Sequence, residues 1–294
     1  MGRNTATPGL AIRAMAAEDI TAGLRLCRAS NWNQLEDDWR VFLDSAGSGG
    51  FLACKEGRVV GTVAFLRYDG FAWIAMMLVD PQERGAGIGA RLMEEALSAW
   101  KDIDCIGLDA TPMGEPLYRR FGFVNDYALV RIKATVEAAT IEAARLEAPS
   151  PGVRRMLHED LAGVLRRDRE VFGAGRGELL ESLLARAPEC AWIVKDGAAV
   201  RGYTIGRPGW LYHQVGPVVA EDSGTAQALV ARCLSELDGK RVALDVPRLD
   251  SEWLAWLRYI GFIEERPFVR MFRHSHRHPG QLARQYAIAG PEFG

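Results

Sequence analysis

A run of glycines beside an arginine is the most chemically suggestive feature of the sequence. Residues 84–90 read RGAGIGA, after the apolar run 71–79 and before apolar residues spaced as on one face of a helix. Glycine lets successive backbone N–H groups turn toward one point, and the start of a helix carries a partial positive charge. The arginine adds a full charge. We therefore predict an anion site that suits a pyrophosphate.

The glycine spacing fits two kinds of pyrophosphate-binding loop. Residues 85–90 satisfy G-x-G-x-x-G/A, and Asp109 follows about 20 positions on, as the Rossmann dinucleotide fingerprint requires. Three details argue against a Rossmann fold. Residues 80–84 separate the strand from the first glycine, and Pro81 ends the strand. Antiparallel strands are predicted before the motif, and no further β-α-β units follow it.

A second pattern fits better. Residues 79–89 match V-x-P-x-x-R-G-x-G-I-G, and residues 117–123 match L-Y-x-x-x-G-F. Together these motifs resemble the acyl-CoA-binding loop and the downstream segment of the GCN5-related N-acetyltransferases (GNAT). The resemblance covers about residues 11–134.

The resemblance implies a cofactor site and a direct transfer. In this family acyl-CoA enters a V-shaped opening between the fourth and fifth strands, and the acceptor amine attacks without an acyl-enzyme. A backbone N–H at the end of the fourth strand then faces the thioester oxygen. The implied cofactor-binding residues are Leu78, Val79, Arg84, Gly85, Ala86, Gly87, Ile88, Gly89 and Ala90.

The resemblance also implies catalytic residues. Tyr118 matches the tyrosine that acts as general acid for the departing thiolate, since a phenol can donate a proton at neutral pH. The alternative is a core tyrosine that packs on Phe121. Residues 72–79 contain no Glu or His, where some family members place a general base. Asp109 is a candidate base, and a strand-end aspartate that caps the next turn and a water relay are the alternatives.

The acceptor site of this family is lined by the segment that joins the first two helices. The residues predicted to bind the acceptor are Trp32, Asn33 and Gln34. Acidic residues at 36–38 could hold a cationic amine. A structural interpretation competes, because Asn33 and Glu36 have the spacing of a capping box.

The elements that position these residues occur twice. AIRAMAAEDI has an echo in VRRMLHEDLAG, FLACKEGRVVGTVAFLR in AWIVKDGAAVRGYTIGR, and CIGLDATP in RVALDVPR. Each half is predicted to have the order β-α-α-β-β-β-α-β-α-β. Two prolines and a glycine in residues 147–152 mark the boundary.

The second half is expected to bind no CoA. Its loop retains only Gly224 and lacks the arginine, and Glu221 and Asp222 would repel a pyrophosphate. Leu257 aligns with Tyr118. The role of the second half is then to support the first.

Two further groups of residues have competing interpretations. Trp210, Tyr212 and His213 could shape the acceptor pocket of the first half, or could simply pack. The tail contains the alternating His274, His276 and His278, which could bind a metal on a strand, although a solvated terminus is the preferred interpretation.

The composition excludes several partners. The chain has 294 residues, 48% of them hydrophobic and 25% charged, with a formal net charge of −2. A net charge this small produces no long-range electrostatic field that would recruit nucleic acid or an anionic membrane.

The five cysteines form no C-x-x-C motif, and the longest apolar run is too short to span a bilayer. We expect a cytoplasmic protein with no metal. A homodimer is compatible with the sequence.

The predicted fold class is α/β (mixed α+β), with two tandem GNAT folds, each a mixed, mostly antiparallel central sheet flanked by helices. Residues 1–146 form the catalytic acetyl-CoA-binding domain, 147–274 a degenerate domain, and 275–294 a C-terminal tail. We predict transfer of an acetyl group from acetyl-CoA to a primary amine of a small molecule. The alternatives are a non-catalytic acetyl-CoA sensor and a protein or peptide N-acetyltransferase.

Overall fold

The computed structural model describes residues 9–100, 103–147, 152–274 and 280–294. The first half contains β1 (Leu10–Ala14), α1 (Ile20–Ala29), α2 (Glu36–Asp44), β2 (Gly49–Lys55), β3 (Arg58–Tyr68), β4 (Phe71–Val79), α3 (Ile88–Ser98), β5 (Cys105–Ala110), α4 (Glu115–Arg120) and β6 (Val124–Thr135). This order is the one that the sequence predicts.

The second half repeats the order after a connecting helix, α5 (Ala138–Glu147). It contains β7 (Arg154–Arg155), α6 (Leu161–Phe172), α7 (Gly177–Arg186), β8 (Trp192–Asp196), β9 (Ala199–Arg207), β10 (His213–Ala220), α8 (Ser223–Leu234), β11 (Arg241–Pro247), α9 (Ser251–Tyr259) and β12 (Ile263–His274). A short strand that the sequence did not predict, β13 (Gln285–Ala287), follows.

The strands of both halves form one continuous sheet, because the halves exchange their last long strands. The order is β1-β2-β3-β4-β5-β12-β6-β11-β10-β9-β8-β7. Strand β12 of the second half pairs with β5 of the first, and β6 of the first pairs with β11 of the second. Only β4–β5 and β10–β11 are parallel among the described pairs. The mixed, mostly antiparallel sheet is confirmed; the exchange was not predicted.

Helices cover both faces of the sheet. On one face α1 and α2 lie beside α6 and α7, and their apolar residues form one core shared by both halves. On the other face α3 and α4 cover the first half, and α5, α8 and α9 cover the second. The shared core and the exchanged strands together make the halves one packing unit.

The internal repeat is visible in matching ion pairs. Arg13 Nη2 donates to Asp19 Oδ1 over 2.6 Å, and Arg154 Nη2 donates to Asp160 Oδ1 over 2.7 Å. Each aspartate also accepts the backbone N–H three residues before it, at the start of a helical segment. The two halves therefore begin with the same local structure, as the matched sequences predicted.

The end of the chain is buried. Strand β13 pairs with β10, and the Phe293 ring stacks on Phe42 with centroids 5.9 Å apart. The prediction of a solvated terminus is therefore wrong for residues 285–294, because their apolar side chains complete the two cores. Of the alternating histidines, His276 and His278 lie outside the described residues, as does most of the predicted boundary at 147–152.

Candidate functional site

The fourth and fifth strands of the first half separate and leave a slot in the sheet. They pair only at Trp73↔Gly107 and at the residues just before these. Strand β4 nevertheless continues to Val79 and β5 to Ala110. Residues 74–79 therefore have no strand partner on the β5 side among the described residues, so backbone groups on that side are available to a ligand.

A β-bulge lies in β4 beside this slot. The pairing register of β3 and β4 shifts next to Thr62, and Met76 adopts a left-handed φ of 49°. The Thr62 hydroxyl donates to the Met76 carbonyl over 2.8 Å. A non-glycine residue in this conformation costs about 1–3 kcal/mol and re-aims the strand. The strand reaches Leu78 and Val79, the predicted cofactor contacts, directly after this bend.

The glycine loop lies at the end of the slot and is open. Gly85 and Gly87 have φ values of 83° and 78°, and a Cβ on either would meet no atom within 4 Å. Helix α3 begins at Ile88 with no side-chain cap, so the amides of its first turn lack intrahelical acceptors. Exposed Ala86 lies between the two glycines. The loop suits an anion at the helix start.

The end of the predicted loop has a packing role. A Cβ on Gly89 would lie 3.3 Å from Leu117 Cδ2, so this glycine allows α3 to approach α4. Ile88 is buried and Ala90 half-buried. Of the predicted loop residues, 85–87 are therefore exposed to solvent, whereas 88–90 belong to the first turn of α3 and are buried or half-buried.

The arginine of the loop is exposed and bends back toward the strand. Arg84 Nε donates to the Val79 carbonyl over 3.3 Å. The guanidinium therefore lies where β4 ends and the loop begins. It can supply positive charge to an anion on either segment.

The acidic residues near the loop are paired with cations. Asp80 accepts from Arg25 over 3.0 Å and from Arg58 over 3.1 Å, and the hydrogen bond from Arg25 holds the pKa of Asp80 below its ordinary value. Glu83 accepts from Lys55 over 2.8 Å. These pairs neutralise the two carboxylates, so they do not oppose an anion at the loop.

Tyr118 lies on α4 and is only 8% exposed. Its ring packs edge-on against Phe123, with centroids 6.2 Å apart, and Phe121 packs against the same apolar cluster. No hydrogen bond of its hydroxyl is found among the described residues. Burial raises the pKa of the Tyr118 phenol, so it stays protonated at neutral pH. The general-acid role stays a prediction, and the free hydroxyl is compatible with it.

Asp109 lies in the centre of the sheet, and its side chain is fully buried. Its two oxygens accept from Arg270 Nε and Nη2, each over 2.8 Å, and Arg270 comes from the exchanged strand β12. Burial raises the pKa of Asp109 and Arg270 opposes that shift. The residue does not cap the next turn. Its role as general base stays a prediction, and the paired oxygens argue against it.

The predicted acceptor-binding segment lies at the junction of the halves. Trp32 is half-buried and packs against the shared core. The Oε1 atom of buried Gln34 has no hydrogen-bond partner in the described structure. Asn33 is 1% exposed and binds the backbone of residues 210–212 in the second half. Its amide is therefore engaged in holding the halves together.

The acidic residues after this segment are also occupied. The expected capping box of Asn33 and Glu36 is wrong, because α2 begins only at Glu36 and it is Asp38 that accepts the Leu35 N–H, over 2.8 Å. Asp38 is also bonded to Arg207 over 2.8 Å, and both side chains are fully buried. Asp38 is thus not free to hold a cationic amine.

The corresponding slot of the second half is filled by the chain itself. Strands β10 and β11 pair only at His213↔Val242 and at the residues just after these. Strand β13 enters the gap, pairs with β10, and is followed by Ile288, whose N–H donates to the Asp245 carbonyl of β11 over 2.9 Å. Residues 285–288 thus take the backbone positions that remain open in the first half.

The helix after this second slot is capped by its own side chain. Asp222 accepts the Thr225 N–H over 2.7 Å at the start of α8, and Glu221 pairs with Arg201 over 2.8 Å. The carboxylate therefore occupies the place that an anion would take. Both features support the prediction that the second half binds no CoA.

Two features are absent from the described residues. No helix there is long and apolar enough to cross a membrane. No group of three or more His, Cys, Asp or Glu side chains in these ranges could hold a metal ion.

Comparisons with known proteins place both halves in one family. Residues 46–125 and 164–287 each match a model described as an acetyltransferase (GNAT) domain. The chain is 27% identical to holothin acyltransferase of Pseudoalteromonas sp. (strain SANK 73390), covering 90% of this chain and 88% of that protein.

Solved structures share the fold over nearly the whole chain. A candidate acetyltransferase of Pyrococcus horikoshii has a TM-score of 0.80 at 21% identity, covering 99% of this chain and 98% of that one. A tandem GNAT protein from the clavulanic acid biosynthesis pathway has a TM-score of 0.66 at 17% identity, covering 90% and 98%.

Proposed function

Because the chain belongs to the GNAT acetyltransferase family, with two such domains in tandem, we propose that its first half transfers an acetyl group from acetyl-CoA to the primary amine of a small molecule. The reaction proceeds by direct attack of the amine while both substrates are bound. The second half binds no CoA and supports the site of the first.

One observation carries the proposal: the slot between β4 and β5 leads directly to the open loop at the start of α3. The unpaired backbone of residues 74–79 can bind the amide-bearing arm of CoA, and Gly85 and Gly87 leave room for its pyrophosphate. Neither feature is available in the second half, where β13 and Asp222 take the same positions.

The residues of the site supply two contributions to the reaction. Backbone N–H at Leu78 or Val79 stabilises the negative charge that develops on the thioester oxygen. The amine nitrogen bonds to the carbonyl carbon as the carbon–sulfur bond breaks, and Tyr118 donates its proton to the leaving sulfur. The amine loses one proton to water, and Tyr118 is reprotonated from solvent, so the proton balance closes.

The acceptor is proposed to be a small molecule for two reasons. The Pseudoalteromonas relative is named for acyl transfer to holothin, and the tandem structural neighbour belongs to the biosynthesis of clavulanic acid. Neither name specifies a protein acceptor.

The retained Tyr118 favours catalysis over a sensor role, since a sensor needs no general acid.

The test is calorimetric titration of acetyl-CoA and of NAD(H) into the wild type and Gly87→Glu. A glutamate at position 87 would strain the left-handed backbone and place a negative charge in the anion site. We expect one acetyl-CoA site per chain in the wild type and at least tenfold weaker binding in the variant. Gly197→Glu, at the left-handed hairpin turn of the second half, is the matched control.

Binding of NAD(H) without acetyl-CoA would refute the proposal. A stoichiometry of two acetyl-CoA molecules per chain would contradict the role assigned to the second half. Thiol release from acetyl-CoA with a panel of amines then measures the transfer itself.

A further inference from the structure

A loop of the second half is held tightly against the predicted acceptor segment of the first. The Asn33 side-chain oxygen accepts the N–H groups of Leu211 and Tyr212 over 2.7 and 2.9 Å, and its amide nitrogen donates to the Tyr212 carbonyl over 3.1 Å. The Asn33 carbonyl accepts the Trp210 N–H over 2.8 Å. A Cβ on Gly209 would overlap the Asn33 amide, so the contact requires glycine.

This contact is connected to the end of β4 through helix α1. Helix α1 is fixed to that end by Arg25, which donates to Asp80, the residue between β4 and the glycine loop, over 3.0 Å. Arg28 follows three positions later on the same side of α1 and donates to the Trp32 carbonyl over 3.2 Å. A continuous set of contacts therefore connects Asp80, at the start of the cofactor loop, with Trp32.

The second half presents a large aromatic ring at this point. Trp210 is 60% exposed, although tryptophan is a residue type that is mostly buried. The Arg28 guanidinium carbon lies 4.3 Å from the centre of its ring, which fixes the ring in place. An exposed, preorganised ring beside a substrate-lining segment is typical of a binding contact.

We propose that the second half completes the acceptor site of the first, with Trp210 as a specificity-determining contact and Asn33 as the residue that positions it. This inference rests on the proposed function. The acceptor class that fits is an amine carried on a planar ring, because such a ring can stack on the open part of Trp210.

The charges around the ring support this acceptor class. Arg28 brings a positive charge to one side of Trp210, and the nearby acids are paired, Asp38 with Arg207 and Glu36 with Arg40. A flexible polycation would therefore find only the exposed Asp37 carboxylate of this segment, which lies 3.5 Å from Arg186 Nε. A planar ring with a single amine needs only stacking area.

The test compares two amines that differ in ring planarity, 2-phenylethylamine and 2-cyclohexylethylamine. Binding of each is measured by calorimetry to the protein saturated with CoA, in the wild type, Trp210→Ala and Trp210→Phe. We expect the wild type to prefer the planar ring, and Trp210→Ala to weaken that amine about fivefold while hardly affecting the other. Trp210→Phe should retain most of the preference.

Two further variants separate the contact from a general structural effect. Tyr259→Ala removes another exposed ring of the second half (65% exposed) and should change neither affinity. Gly209→Ala keeps Trp210 but pushes the loop away from Asn33, and should lose the planar-ring preference with acetyl-CoA affinity unchanged.

The inference is overturned if the wild type shows no preference for the planar ring, or if Trp210→Ala keeps it. A wild type that does not bind acetyl-CoA would instead refute the proposed function. Because the amine titrations require no acetyl transfer, the two failures are distinguishable.

Discussion

Several single residues have roles that their chemistry alone does not specify. Asp109 is predicted from the sequence as a general base and Asn33 as an acceptor-binding residue. The side chains of both are buried and form hydrogen bonds with the other half of the chain. Tyr118 is the opposite case, because it is buried among apolar side chains and its hydroxyl has no partner in the described residues. A hydroxyl that forms no hydrogen bond to the described residues is available to a substrate, which is compatible with a functional role.

Tyr118→Phe tests that role. Removing only the hydroxyl should lower kcat about 100-fold, because a positioned general acid contributes roughly 10²–10⁴. Acetyl-CoA affinity should stay unchanged, since the ring keeps its packing on Phe123. Rates are measured by thiol release, with Tyr259→Phe as a control that should retain full activity. A variant that keeps the wild-type kcat would show that the hydroxyl only packs.

At the scale of elements, the two halves start with the same arginine–aspartate pair. The hydrogen bonds from Arg13 and Arg154 hold the pKa values of Asp19 and Asp160 below their ordinary range. A lowered native pKa means that the carboxylate stabilises the fold fully above the unfolded value of about 4 and less as the pH falls below it. Both pairs therefore contribute to acid sensitivity.

Asp160→Asn tests this contribution. The variant should be about 2 kcal/mol less stable at pH 7, because the buried carboxylate accepts charged hydrogen bonds. Its stability should also fall less than that of the wild type between pH 4 and pH 2. Denaturant unfolding measures both. Asp196→Asn, in an exposed pair with Arg201, should change little at either pH. An unchanged acid profile in Asp160→Asn would contradict the assignment.

At the scale of the molecule, neither half contains a complete sheet of its own. Strand β5 has β12 as its neighbour and β6 lies between β12 and β11, so each half provides a strand to the other. The shared core adds apolar contacts between α1, α2, α6 and α7. Separating the halves would expose unpaired strand edges and apolar surface.

We therefore expect a chain of residues 1–147 to aggregate when it is made alone. Production together with residues 152–294 should give a soluble assembly, because the exchanged strands can then pair. Size-exclusion chromatography and thermal unfolding measure the outcome, and the intact chain should unfold in one transition. A monomeric 1–147 fragment with a cooperative transition would show that the exchange is dispensable.

The sequence by itself determined the elements of both halves and the first-half loop. Hydrophobic periodicity and glycine positions are local signals, so β4, α3 and the turn between them could be predicted, and the loss of the loop in the second half could be read in the same way. The matched motifs of the halves also predicted their common order of elements.

Only the tertiary structure decided how the halves are joined. Strand exchange, the filling of the second slot by β13, and the pairs Asp109–Arg270 and Asn33–Tyr212 join residues more than 65 positions apart. Such pairings leave no periodic pattern in the sequence, because they depend on which edges and polar groups remain unsatisfied once the local elements have formed. For the same reason, Trp210 could be placed beside the acceptor segment only after folding.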